Sequence, residues 1–219
     1  MVATLKNIDT YTELLKQLKY ALYCIFHPAD GFWCINREKR ASVASATVLL
    51  VVYCLIEVMR LTLTNFQMLL VPIEYFNAPM AALSICVPIL LWSVANWGFT
   101  TLFNGKGKLS DIYVATVYAF TPVIICNAAG IVISQFITFE EGVLYHTMLS
   151  IAGIWAFLLV LVAMMQVHDY TLLKAIATSL LAICGIGFIV FIFLLFFSLV
   201  SDAFMYFYSL YNEIVFRLY

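Results

Sequence analysis

The sequence predicts an all-α protein, a polytopic membrane bundle of five transmembrane helices with amphipathic helices at its N- and C-terminal ends. Three observations predict this fold. Of the 219 residues, 65% are hydrophobic and only 11% are charged, whereas soluble domains have about 25% charged residues. The apolar residues gather into five runs of the length that a membrane helix needs. Lysine and arginine concentrate in alternate connections between those runs.

The first predicted segment, residues 1–40, is an amphipathic N-terminal part. Thr10 and Glu13 fit a capping box, and apolar residues then recur at helical spacing. We expect a helix over 11–26 that lies on the inner membrane surface, because its polar residues fall off the apolar face. Pro28 prevents the continuation of that helix.

The membrane domain is predicted over residues 41–200. Only helices satisfy their backbone hydrogen bonds across lipid in such a chain. The five expected spans cover 41–59, 80–103, 112–136, 143–166 and 173–200. Residues 61–79 form the longest outer connection, and the pattern leaves open whether it is a re-entrant or interfacial element.

The last predicted segment, residues 201–219, is an amphipathic aromatic tail on the outer side of the membrane. Aromatic and aliphatic residues, Tyr208 and Tyr211 among them, repeat at helical spacing. Such a face suits either the membrane interface or a groove in a partner protein.

The distribution of basic residues predicts a cytoplasmic N terminus and, after five spans, an outer C terminus. Two basic residues, Arg60 and Arg217, fall on the side expected to be outer. The others fall on the side expected to be cytoplasmic: Lys6, Lys16, Lys19, Arg37, Lys39, Arg40, Lys106, Lys108 and Lys174.

The loop 104–108, Asn-Gly-Lys-Gly-Lys, has two interpretations. Glycines beside lysines can hold a phosphate, but neither GxxxxGK[ST] nor GxGxxG is completed here. A tight turn is favoured, since Asn-Gly accepts positive φ and the positive-inside rule places lysines there. Ser110 or Asp111 is expected to cap the following helix.

Two prolines lie in the middle of predicted spans. Pro88 and Pro122 each remove a backbone donor and can kink a helix. Kinked helices can frame a cavity, and with Asn127 the two prolines are candidates for lining one. This supports an alternative function as a transporter or channel for a small solute.

Few ionisable groups fall inside the predicted spans. Glu57 lies near the outer end of the first span, and Arg60 follows three residues later, so the two can neutralise each other. An intramembrane carboxylate is a functional candidate. Asn96 and Asn127 are expected mainly to form interhelix hydrogen bonds.

No catalytic set is evident, and the sequence nominates no enzyme, cofactor or metal site. HExxH, GxSxG and CxxC are absent. No basic block is large enough to suggest nucleic acid as a partner. The six scattered cysteines are expected to act as small buried hydrophobic residues. Disulfides or a metal site among them are alternatives, and Cys24 and Cys34, which flank the membrane, could be acylated.

Several short stretches resemble the Yip family of five-span, Ypt/Rab-interacting membrane proteins. They are NWGFTTLFNGKGKLSDI at 96–112, YAFTP at 118–122, HPADGF at 27–32, RAS at 40–42 and HDY at 168–170. The resemblance implies a cytoplasmic N terminus and a non-enzymatic role. It links eukaryotic members to Rab GTPases and membrane traffic, whereas this short form is similar to the bacterial branch, often encoded beside sugar ABC transporters.

These observations lead to a first hypothesis of a non-catalytic accessory protein in the bacterial cytoplasmic membrane. It would contact the lipid bilayer and bind other membrane proteins, with ABC transporter permease subunits as candidates. A membrane-shaping or trafficking role is a further alternative. The candidate partner or cavity residues are Glu57, Pro88, Asn96, Trp97, Pro122, Asn127, Tyr208 and Tyr211.

Overall fold

The computed structural model describes residues 2–69, 77–100 and 103–218, and it confirms the all-α class. The residues described contain no strand. Their α-helices are α1 (Val2–Phe26), α2 (Pro28–Arg37), α3 (Val43–Leu63), α4 (Ala78–Thr100), α5 (Leu109–Ala119), α6 (Thr121–Ile133), α7 (Gly142–His168) and α8 (Leu172–Leu218).

Five segments of the described chain are long and apolar enough to cross a membrane, as the hydropathy pattern predicts. The third segment combines α5 and α6. The segments are Val43–Leu63, Ala78–Phe99, Leu109–Ile133, Phe139–His168 and Leu172–Arg217. The chain is therefore a multi-pass membrane protein.

The N-terminal helix is longer than the sequence predicts. α1 begins at Val2, so Thr10 lies within the helix and its assignment as an N-cap is wrong. The preceding residues contain no proline or glycine that would stop the helix earlier. Its end agrees with expectation, since α1 stops at Phe26 and Pro28 occupies the first position of α2, where its missing N–H costs nothing.

The third span is interrupted near its middle. α5 ends at Ala119 and α6 begins at Thr121, with Pro122 in its first turn. Proline cannot donate to the Tyr118 carbonyl, and the Thr121 hydroxyl donates to that carbonyl instead, at 2.6 Å. The other intramembrane proline, Pro88, lies inside α4 without dividing it.

The core of the bundle forms around α5, which packs against α1, α2, α3, α4 and α7. Small residues allow this close packing: Ala115 and Ala119 of α5 are buried, as are Ala152 and Ala156 of α7. The largest fully buried side chains are Tyr118, Tyr145, Phe32, Ile112, Leu159 and Met164.

α8 has two different halves. Its first half packs mainly against α4 and α7, and Gly185 lies so close to Phe99 that an added Cβ would meet Cε2 of the ring at 2.6 Å. The second half, Phe188–Arg217, has no buried residue within the described chain. The helix passes the predicted boundary at residue 201 without a break.

Part of the long connection between the first two spans is described. Met68 is buried, and a Cβ added to Gly142 would lie 3.0 Å from its Sδ atom. This stretch therefore packs on the start of α7. The Gln135 side chain donates to the Leu63 carbonyl at 2.7 Å. Residues 70–76 lie outside the described residues, and the question of a re-entrant element stays open there.

Candidate functional site

Three connections meet at the end of the bundle that carries most of the lysines and arginines. We call this region, formed by residues 27–42, 103–108 and 168–174, the basic end. It brings together four of the sequence stretches that suggested a family, although these are far apart along the chain. Many of its contacts involve the C-terminus of α7.

The last turn of α7 presents carbonyl groups without helical partners, as every helix C-terminus does. Asn36 of α2 supplies donors, because its Nδ2 atom lies 3.1 Å from the Gln166 carbonyl and 3.5 Å from that of Val167. Asp169 then ends the helix in the left-handed conformation, with φ 55° and ψ 43°. This cap joins α2 to α7.

The glycine-rich loop contacts the same turn of α7. The backbone N–H of Gly107 donates to Nδ1 of His168 at 3.3 Å, and His168 is almost fully buried. A Cβ at position 107 would lie 2.5 Å from Cγ1 of Val167 and 2.8 Å from Cε1 of His168. The second glycine of the loop is therefore required by close packing rather than by phosphate binding.

The first part of the loop agrees with the predicted tight turn. Asn104 has a φ of 53°, in the left-handed region that asparagine tolerates. The expected cap of the next helix is wrong, since Lys108 is the N-cap of α5 and no side chain caps it. Asp111 instead pairs with Lys39 at 2.7 Å.

Asp169 is the centre of a small ion-pair network. Its carboxylate lies 2.7 Å from Arg37 of α2 and 3.0 Å from Lys106 of the loop. The hydrogen bond from Lys106 and the pairing with Arg37 hold the pKa of Asp169 below its usual value. One carboxylate thus connects three segments of the basic end, where surface exposure keeps each pair weak.

Tyr170 extends the cluster towards α8. Its hydroxyl donates to the Phe103 carbonyl at 3.2 Å, and its ring stacks on the imidazole of His168 with centroids 5.0 Å apart. The Lys174 ammonium lies 4.2 Å from the centroid of the Tyr170 ring, a cation–π distance. All three residues of the His-Asp-Tyr stretch therefore hold neighbouring connections together.

α2 is fixed to α1 by an equally close contact. A Cβ on Gly31 would lie 2.9 Å from Sγ of Cys24, and the Tyr20 hydroxyl donates to the Gly31 carbonyl at 3.4 Å. Burial raises the pKa of the Cys24 thiol to about 12. Cys24 is also fully buried, so its thiol is not accessible in this fold.

A second polar cluster lies within the spans, away from the basic end. Glu57 and Arg60 of α3 form the predicted ion pair at 2.6 Å. Asn127 of α6 is buried and donates to Glu57 at 3.1 Å, which is an interhelix hydrogen bond of the expected kind. The hydroxyl of the buried Tyr145 on α7 lies close to the Arg60 guanidinium.

The structure does not collect the remaining candidate residues into one site. Asn96 is buried and bonds the Trp92 carbonyl of its own helix, whereas Trp97 is half exposed. Tyr208 and Tyr211 are exposed on the distal half of α8.

The two prolines line separate cavities. Pro88 lines a cavity of about 500 Å³ between α4, α5, α7 and α8. Pro122 lines one of about 410 Å³ against α7. Asn127 lines neither of these cavities, so neither of them brings together the three residues expected to share a solute path.

Sequence reasoning missed Asn36 and the roles of Gly107, His168 and Asp169. The signal that could have found them is the clustering of sequence stretches at connections on one side of the membrane. In the described residues, no group of His, Cys, Asp and Glu is arranged to hold a metal, and all six cysteines are free. The contacts of the basic end are hydrogen bonds, ion pairs and ring stacking, which position helices.

The five spans and the interlocked connections define a multi-pass, all-α membrane protein. The Yip1 domain model matches residues 22–209, and this match covers both the spans and the basic end. The chain therefore belongs to the Yip1 domain family. No curated protein and no solved structure matches the chain.

Proposed function

We propose that this protein is a non-catalytic accessory protein of the membrane that binds other membrane proteins through the distal half of α8. One observation carries the proposal: between Phe188 and Arg217 no residue is buried within the described chain. A helix that gains so little from its own fold has its surface available for other molecules.

α8 is too long for the lipid hydrocarbon core to cover all of it. Its 47 residues extend about 70 Å at 1.5 Å per residue, against a hydrocarbon core of about 30 Å. About 25 Å of helix follows Asp202. That part still exposes Phe204, Tyr208, Tyr211 and Phe216. Water is a poor solvent for such a surface, and a partner's groove would cover it.

The charges of the distal helix do not oppose docking. Arg217 pairs with Glu213 at 2.7 Å, one turn earlier on the same helix. Asp202 is the remaining charge between Phe188 and Arg217. Most of the other exposed side chains there are aromatic or aliphatic, and large aromatic side chains dominate binding energies at protein interfaces.

The family supports a membrane protein of the Rab-interacting type, and the identity of the partner is the finer part of the proposal. Permease subunits of a sugar ABC transporter are the first partners to test, because the sequence resembles the bacterial branch. A soluble GTPase would bind at the basic end instead, because a soluble protein on that side cannot reach the part of α8 that lies in and beyond the membrane.

The test compares the wild type with two variants in mild detergent extracts of native membranes. The double variant Tyr208→Ala/Tyr211→Ala truncates the proposed face. Tyr206→Ala is the matched control, because residue 206 lies about 200° around the helix from residue 208. Proteins retained by each are quantified by mass spectrometry.

We expect membrane proteins in stoichiometric amount with the wild type and Tyr206→Ala, and their loss with the double variant. Wild-type protein that purifies without a stoichiometric partner would contradict the proposal. Equal retention by all three forms would place binding away from this face.

The alternative of a small-solute channel has less support, since neither of the two cavities described above brings Pro88, Pro122 and Asn127 together. Flux of a small solute across vesicles that contain the purified protein would support this alternative. A membrane-shaping role would rest on α1, and curvature-dependent binding of the full chain to vesicles would favour that role.

A further inference from the structure

The larger cavity is almost wholly apolar and lies between four helices. Its volume of about 500 Å³ is within the range of roughly 300–1,000 Å³ found for small-molecule sites. It is partly open. The lining residues include Trp92 of α4, Phe120 after α5, Gly153 and Phe157 of α7, and Ile183 of α8.

The depth of the cavity follows from positions along the helices. Thr116 lies seven residues from the start of α5 at the basic end, or about 10 Å. Gly153 lies fifteen residues before the end of α7, or about 22 Å. The cavity therefore occupies the leaflet next to the basic end and reaches the middle of the membrane.

The lining is mostly hydrocarbon, and the Nε1–H of Trp92 is a lining donor that has no hydrogen-bond partner in the described chain. The one hydroxyl among the lining side chains, that of Thr116, already donates to the Ile112 carbonyl at 2.7 Å. Apolar cavities of this kind stay dry and accept apolar guests. At this depth the surrounding solvent is lipid acyl chain.

A positive charge lies on the same helix, nearer the basic end. Lys174 is nine residues before Ile183 on α8, which corresponds to about 13 Å. Its ammonium is held over the Tyr170 ring at 4.2 Å. We expect this position to lie near the phosphate level of the adjacent leaflet, where basic residues attract anionic lipids.

We propose that this cavity binds one acyl chain of an anionic glycerophospholipid from the leaflet at the basic end, with the phosphate near Lys174. The site is independent of the proposed docking of α8. Bound lipid would fill space between α4, α7 and α8 that the protein leaves empty.

The experiment uses the full-length protein in vesicles of phosphatidylcholine and phosphatidylglycerol. A trace of phosphatidylglycerol carries a diazirine on one acyl chain, and the sites of photolabelling are mapped by mass spectrometry. Gly153→Leu fills the cavity, since a Cβ there meets nothing within 4 Å. Gly187→Leu is the matched control, since position 187 is equally open but does not line the cavity.

We expect labelling of the lining on α4 and α7 in the wild type and in Gly187→Leu, and its loss in Gly153→Leu. Equal labelling in all three would overturn the proposal, as would wild-type labelling confined to the outer surface. Ile183→Trp fills the cavity from α8 and gives the same test if Gly153→Leu does not fold.

A second measurement tests the headgroup. Lys174→Gln is expected to remove the preference for labelled phosphatidylglycerol over labelled phosphatidylcholine while the labelled positions stay the same. An unchanged preference would remove Lys174 from the site.

Discussion

The Gly107 amide and the His168 imidazole, 61 residues apart in sequence, form a 3.3 Å hydrogen bond in the interior of the basic end. The bond requires a residue without a side chain at 107, and it requires an unprotonated Nδ1 on the imidazole, because that atom is the acceptor. One contact thus explains why glycine and histidine occur in two separate connections.

Substitution of Gly107 by alanine should destabilise the protein. The new Cβ would lie 2.5 Å from Cγ1 of Val167, and overpacking of this kind costs about 1–3 kcal/mol. Gly187→Ala is the control, since position 187 is open. Thermal unfolding in detergent should show a lower Tm for Gly107→Ala alone. Equal Tm values would mean that the loop moves away at little cost.

Replacement of His168 separates packing from hydrogen bonding. His168→Ala leaves the buried Gly107 N–H without an acceptor, which costs about 1–3 kcal/mol in addition to the lost packing. Asparagine places an oxygen near the position of Nδ1, so His168→Asn should recover part of the loss. Denaturation midpoints of both variants measure the difference. If asparagine is no better than alanine, the hydrogen bond contributes little.

The network around Asp169 predicts a dependence of stability on pH. Its pKa is lowered in the folded protein by Lys106 and Arg37. The stabilisation is therefore complete above the unfolded pKa of about 3.9 and is lost as the pH falls through the lower folded value.

The matched variant for this prediction is Asp169→Asn. At neutral pH the wild type should be more stable by about 1 kcal/mol or less, since the pairs are exposed. The difference in Tm should shrink below about pH 4. A difference that persists in acid would show that the charge of residue 169 is not responsible, since asparagine also accepts its left-handed backbone.

The intramembrane pair of Glu57 and Arg60 should show strong coupling. Glu57→Gln leaves the half-buried guanidinium without its carboxylate, and loss of one partner of a buried pair costs about 3–5 kcal/mol. The double variant Glu57→Gln/Arg60→Gln removes both charges and should be more stable than Glu57→Gln alone.

A double-mutant cycle on unfolding free energies measures this coupling. Asn127→Ala provides a further comparison, because it removes only the donor to Glu57. Additive single effects would mean that the Glu57 and Arg60 side chains do not stabilise each other. That result would weaken the case for Glu57 as a functional residue.

The five spans could be predicted from sequence because hydropathy is a local property. A run of about twenty apolar residues predicts a membrane-spanning helix without any knowledge of its neighbours in the fold. The interruption at Pro122 is local in the same sense, since proline cannot donate to the backbone of the preceding turn.

The basic end could not be predicted in this way. Asn36 and the Gln166 carbonyl are 130 residues apart, and their contact depends on how α2 packs against α7. The requirement for Gly107 also comes from neighbours distant in sequence, whereas the pattern indicated only a turn. The continuity of α8 past residue 201 was missed because the change from lipid-facing to amphipathic composition does not itself break a helix.

The central place of α5 and the peripheral place of α8 set an order for biogenesis. Helices α1 to α4 can pack around α5 once residue 119 has left the ribosome, and α7 closes the basic end by residue 170. α8 is synthesised last and attaches to α4 and α7 on a bundle that already exists. Evolution can therefore change the C-terminal helix, or the partner that it contacts, without changing how the rest of the protein folds.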